Sequence, residues 1–180
     1  MIQTEHHTQF FTATILEWKH LLADDTYKEI IVNSLRFLVS EKRVVVNSFV
    51  IMSNHIHLIW QAVNGFTPQQ VQHSFLKFTA QQIKFNLQRN NPELLEAFHV
   101  TAADREYQIW ERNPLSIDLF SDHVYLQKAD YLHYNPVEAG LCEKPEDYYY
   151  SFFLRLVTNK SSSRAMSVPR AHVLCLHDSP

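Results

Sequence analysis

Glycine is nearly missing from this chain: only Gly65 and Gly140 occur in 180 residues. A glycine-rich phosphate cradle has nowhere to form, which excludes the P-loop and the dinucleotide-binding turn. ATP hydrolysis by a Walker motif and nicotinamide chemistry by its usual route go with them. Cysteine is as scarce, and Cys142 and Cys175 form no CxxC pair, so no thiolate zinc motif is present. No apolar run approaches membrane-spanning length, and "MIQTEHHTQFF" lacks a secretory apolar segment. The expectation is a cytoplasmic chain with reduced cysteines and no membrane partner. A basic excess is missing too. Sixteen Lys and Arg stand against nineteen Asp and Glu, for a net charge of −3. Binding to nucleic acid by charge alone is thereby excluded; a local patch, helped by stacking and shape, would have to serve.

What remains is a globular composition, 46% apolar and 13% aromatic, at a length that suits one domain with a sizeable core. Eleven histidines are the unusual feature. Two of them sit in "VIMSNHIHLIW", residues 50–60, as His55 and His57 around Ile56. In a strand, residues two apart point to one face. The pair therefore reads either as two imidazoles leaning on one metal ion or as two polar residues on a half-exposed sheet.

Patterning supplies the rest of the architecture. "FFTATILEW" reads as a first strand, rich in β-branched and aromatic residues. Asp24 and Asp25 open a helix with Ile30, Ile31, Leu35 and Leu38 at helical spacing and Lys42 and Arg43 at its basic end. "VVVNSFVIMS" and "HIHLIWQAV" read as a hairpin turned at Ser53 and Asn54. Thr67 with Gln70 starts a second helix that Pro92 closes. On it, Phe75, Phe78 and Phe85 read as the buried face. "EYQIWERN" is the candidate fourth strand. Ser121 and Asp122 cap a last helix expected to stop near Asn135, where Pro136 follows. The order strand, helix, strand, strand, helix, strand predicts an α+β fold: a ferredoxin-like split βαβ unit. Its antiparallel sheet carries the helices on one face, and an extra C-terminal helix follows. The domain is expected over 1–157, and the polar, Ser-rich 158–180 as a flexible tail.

That last helix places Tyr131 and Asn135 four residues apart, on one face. If it packs over the sheet face carrying His55 and His57, Asn135 can complete a three-ligand metal site with Tyr131 one turn away. Two neutral imidazoles and an amide oxygen leave coordination positions for phosphate oxygens, and a tyrosine hydroxyl can act as a covalent nucleophile. No glutamate or lysine near Tyr131 reads as its general base. The plainer readings stay open: Tyr131 as a core tyrosine, Asn135 as a helix stop. Tyr134 and His133 face other sides of the helix. Lys77 and Lys84 share a face with Gln81 and read as a phosphate track or a solvated face. Arg112 beside Trp110 suits phosphate contact plus base stacking, though Trp110 reads equally as core.

"VIMSNHIHLIW", "YLHYNPVEAGL" and "KPEDYYYS", in this order, resemble the IS200-like Y1 (HUH) transposase superfamily. Within it the chain is most similar to the REP-associated tyrosine transposases, over roughly residues 8 to 152, with "FLKFTAQQI" and "YQIWERN" also similar. The resemblance implies a His-hydrophobic-His metal motif at His55 and His57, a catalytic tyrosine at Tyr131 and a third ligand at Asn135. It also implies Mg²⁺ or Mn²⁺, single-stranded or hairpin DNA as substrate, and a 5′-phosphotyrosine with a free 3′-OH, as in DNA transposition. Lys77, Lys84, Trp110 and Arg112 become candidate DNA contacts. Members work as homodimers that exchange the tyrosine helix or as monomers. After "PEDY" the family pattern is lost, so a DNA-hairpin-binding relic is one alternative. A metal-dependent phosphoesterase is another.

Overall fold

The structure, a computed structural model, describes residues 6–153. The expected boundary at 157 and the tail beyond it lie outside the described residues. The elements are β1 (Gln9–Thr14), α1 (Asp25–Ser40), β2 (Val44–Ile51), β3 (His55–Ala62), α2 (Pro68–Asn90), a short α3 (Pro92–Glu96), β4 (His99–Ala102), β5 (Arg105–Tyr107), β6 (Leu115–Asp118), α4 (Asp122–Glu138) and β7 (Ser151–Phe153). Local chemistry explains the helix starts. The Asp24 carboxylate accepts the Thr26 N–H, and Thr67 and Gln70 form a complete capping box.

Five strands form one sheet in the order β6-β1-β3-β2-β7, every neighbouring pair antiparallel. Its first four strands are the split βαβ arrangement expected from the sequence, with β7 added at one edge. The fourth strand differs from expectation. "EYQIWERN" contributes β5 to a separate β4–β5 hairpin and one bridge from Trp110 to Ile15. The strand beside β1 is β6, "LSID", four residues whose short alternation is weak evidence by itself.

The two sheet faces bury different helices. Phe11, Ala13, Phe49, Ile51, Ile56, Leu58 and Trp60 meet the apolar sides of α1 and α2. On the other face Phe10, Val50 and Ile59 meet Tyr125, Ala129 and Leu132 of α4. The helices thus divide, α1 and α2 on one side and α4 on the other. A register shift between Val46 and Ser48 lets Val44 and Phe49, of opposite parity, enter the same core. An extra residue in one strand of a pair does this. On α2 the buried line is Val71, Phe75, Thr79, Ile83 and Leu87. Phe78 and Phe85 fall off that line, 49% and 56% exposed, which corrects their assignment to the buried face.

α4 corrects a second expectation. It runs through Pro136 to Glu138 instead of stopping at Asn135. The ring removes one N–H, yet the end beyond it is fully capped: Gly140 donates to the Val137 carbonyl and Leu141 to that of Pro136. This is a Schellman closure, and Gly140 takes the left-handed φ of +69° it requires. Tyr148 then donates its hydroxyl to the Ile51 carbonyl at 2.7 Å and leads the chain into β7.

Candidate active site

β1 and β3 pair so that Thr12 stands opposite His57 and Thr14 opposite His55. Both histidines therefore project from the α4 side of the sheet, with Thr12 and Phe10 as same-face neighbours. The Thr12 hydroxyl lies 2.7 Å from Nδ1 of His57. The Asn54 side-chain oxygen lies 2.7 Å from Nδ1 of His55. An amide oxygen only accepts, so His55 carries its proton on Nδ1 and leaves the Nε2 lone pair free. His57 is 5% exposed, and its Nε2 is buried without a hydrogen-bond partner.

Burial, then the neighbouring His55, then the positive charge of Lys128 push His57 down to a pKa of about 3. Burial alone lowers His55. Both imidazoles are therefore neutral at pH 7. Neutral rings with Nδ1 tied by an oxygen and Nε2 free are the form in which histidines ligate metals.

The rings form a row. His55 and His57 meet edge-on with centroids 4.7 Å apart. Tyr131 of α4 meets His57 edge-on at 5.3 Å, and Phe10 stacks on His57 at 5.3 Å. Tyr131 is 45% exposed. Asn135, one turn on, is 8% exposed on the helix side that also buries Leu132 and Pro136. Lys128, one turn before Tyr131, sets its ammonium 4.9 Å from the centre of the Phe10 ring and 5.9 Å from that of Tyr131. Lys128 thus stands beside Tyr131 as a cation, not as a base.

Two adjacent neutral imidazoles, one with a free buried nitrogen, are donors of a chemistry that suits a divalent ion; Asn135 is buried on α4, which packs over the same sheet face. No group of three or more His, Cys, Asp or Glu that could hold a metal occurs among the described residues.

The other sequence candidates lie elsewhere. Lys77 is exposed and Lys84 half-buried on α2, across the sheet from the histidines, and Lys84 sits 5.1 Å from the centre of the Tyr107 ring. Trp110 is core: 6% exposed, its indole N–H donates to the buried Thr79 hydroxyl at 3.0 Å. That position corrects its candidacy as a stacking residue. Arg112 points outward, 60% exposed and 3.9 Å from Asp104. Tyr134 and His133 pack on one another at 5.3 Å, and His133 stacks on Phe153. Sequence reading missed Thr12, Asn54 and Lys128. Lys128, three residues before Tyr131 on a helix, and Asn54, directly before His55, had local signals; Thr12 had none. No helix among the described residues is long and apolar enough to cross a membrane.

No family model matches this chain, and no curated protein matches it. Solved structures do. The structure of a REP-associated tyrosine transposase bound to a REP hairpin superposes with a TM-score of 0.61, covering 92% of this chain and 92% of that one at 18% identity. A crystal structure from Deinococcus radiodurans R1, provisionally described as a transposase, gives 0.40 over 69% of this chain and 86% of that one at 17% identity. The first likeness shows a shared fold across nearly the whole chain.

Proposed function

We propose that this chain is a metal-dependent nuclease and strand transferase for single-stranded, hairpin-bearing DNA, of the Y1 tyrosine transposase type. The observation that carries the reading is the row His55, His57, Tyr131, with an unpartnered His57 Nε2 at its centre. The fold shared with a hairpin-bound tyrosine transposase supports it independently.

In this reading His55 and His57 would hold Mg²⁺ or Mn²⁺, and the Asn135 amide would be the third ligand. Such an ion would supply Lewis-acid polarisation of the scissile phosphate. Thr12 and Asn54 hold the imidazoles in tautomer and orientation. The Tyr131 hydroxyl attacks phosphorus and loses its proton. The bond to the 3′ oxygen breaks, that oxygen takes up a proton, and the 5′ phosphate stays on the tyrosine. Lys128 contributes a positive charge where the pentavalent phosphate gathers negative charge.

The test is a denaturing gel of the protein with end-labelled hairpin oligonucleotides and Mn²⁺ or Mg²⁺. The expected result is a denaturant-stable adduct from the wild type, absent with chelator and from Tyr131→Phe and His57→Ala. Cleavage that survives Tyr131→Phe would replace the tyrosine by metal-activated water. Tight hairpin binding with neither cleavage nor adduct would make the chain a binding protein.

A further inference from the structure

Three tryptophans occur, and two are core: Trp60 and Trp110 are 3% and 6% exposed. Trp18 is different. It is 59% exposed, and its ring meets His55 edge-on at 5.9 Å. Trp18 touches the histidine pair at His55, and Tyr131 touches it at His57.

The backbone that presents this indole is unusual. Glu17 and Trp18 both lie in the left-handed region, with φ of 55° and 57°. Neither is Gly, Asn or Asp, the residues that tolerate it, and bulky side chains there are rare. The neighbourhood over-determines the turn. The Ile15 N–H donates to the Asn54 carbonyl and the Trp18 N–H to that of Ile15, at 2.8 and 2.9 Å. The Glu17 N–H donates to the Glu111 carboxylate at 2.7 Å. The Asn54 side-chain amide donates to the Trp18 carbonyl at 3.3 Å. The same Asn54 orients His55 through its oxygen. One side chain therefore sets the indole and the imidazole relative to each other. Strained conformations persist where surroundings force them, and they gather at functional sites.

Trp18 differs from the other exposed aromatics of the chain in offering a flat apolar face to solvent directly beside His55, on a backbone held in place by several hydrogen bonds. We propose that Trp18 is the stacking platform for the base adjoining the phosphate bound at His55 and His57. The inference rests on the DNA-processing reading above and adds to it a residue that positions substrate. Single-stranded nucleic acid offers such a face at every base, whatever the sequence. In a chain with no basic excess, stacking would supply part of the grip that charge does not.

The experiment uses the full chain carrying Tyr131→Phe, so that binding is reversible, and a panel of DNA hairpins with single-stranded flanks. In each oligonucleotide one flanking position is made abasic. Adding Trp18→Ala should weaken binding of intact DNA roughly 5- to 150-fold, the range for losing one base–aromatic stack. Trp18→Phe should recover most of that. One abasic position should cost the protein that keeps Trp18 the same factor and cost the Trp18→Ala variant nothing further, the non-additivity of a direct contact. Intact DNA should also shield the exposed indole from acrylamide quenching.

Unchanged affinity of Trp18→Ala overturns the proposal. So does a loss that simply adds to that of every abasic substitution. If the chain with Tyr131 intact still forms the phosphotyrosine adduct in those cases, the functional reading stands without the platform. A wild type that neither binds nor cleaves any hairpin overturns the functional reading itself.

Discussion

Acid should destabilise the metal-free protein through His57 in a way that can be sized in advance. In the fold its pKa is pushed down to about 3, chiefly by burial, with the charges of His55 and Lys128 adding. In the unfolded chain it titrates near its ordinary value of about 6.5. Between these two values the unfolded state binds one proton that the native state refuses, so stability falls as pH falls. The slope is about 1.4 kcal/mol per pH unit, levelling off below the folded pKa. From pH 7.5 to pH 5 the loss through this one group is about 2 kcal/mol. That is a large share of the ~5–15 kcal/mol by which domains are stable. His55, lowered by burial, acts with the same sign and leaves a residual slope in its own right. The assay is urea unfolding in chelator at pH 7.5 and pH 5, for wild type and His57→Gln. Glutamine cannot titrate, so its acid loss should be smaller by about 2 kcal/mol, whatever its stability at pH 7.5. Equal losses in the two proteins would refute the claim that His57 is held neutral by the fold.

Mn²⁺ should raise the melting temperature of the wild type and leave His57→Ala unmoved, and a chelator should reverse it. Thr12→Val removes the partner of His57 Nδ1 and should weaken Mn²⁺ binding about 10- to 100-fold by calorimetry, with Thr12→Ser recovering most of it. Thr79→Val keeps the buried volume but strands the Trp110 indole N–H, and should cost about 1–3 kcal/mol in urea unfolding. Tyr125→Phe should do the reverse: the Tyr125 hydroxyl is buried without a partner, so its removal should stabilise by about 1 kcal/mol.

How much of this was legible in the sequence depends on distance along the chain. The histidine pair sits on one face because a strand has a period of two, and Tyr131 precedes Asn135 by one helical turn; both facts are local. The four-strand order follows from connection lengths and hands. By contrast, Thr12 finds His57 only through the β1–β3 register, and Asn54 earns its role by reaching Trp18 across thirty-six positions. Patterning fails where such distant partners decide. Trp110 was equally readable as surface or core until Thr79 supplied an acceptor for its indole. Phe78 and Phe85 looked buried because aromatic residues usually are, but the line through Thr79 and Ile83 leaves them outside. Pro136 reads as a stop because its ring opposes a helix locally; the burial of Pro136 and the closure at Gly140 favour continuation. The strand "LSID" is too short to announce itself, and pairing with β1 defines it.

The path of the chain through α4 has a mechanical meaning. It leaves β6 at one margin of the sheet, crosses the histidine face and comes down as β7 at the opposite margin. α4 is a strap buckled on both sides of the surface it covers. One buckle is β6, paired with β1; the other is β7, reinforced by the grip of Tyr148 on Ile51. Lending Tyr131 to the histidines of a second molecule would mean undoing one of these buckles. Left fastened, each copy keeps its Tyr131 beside its own His57.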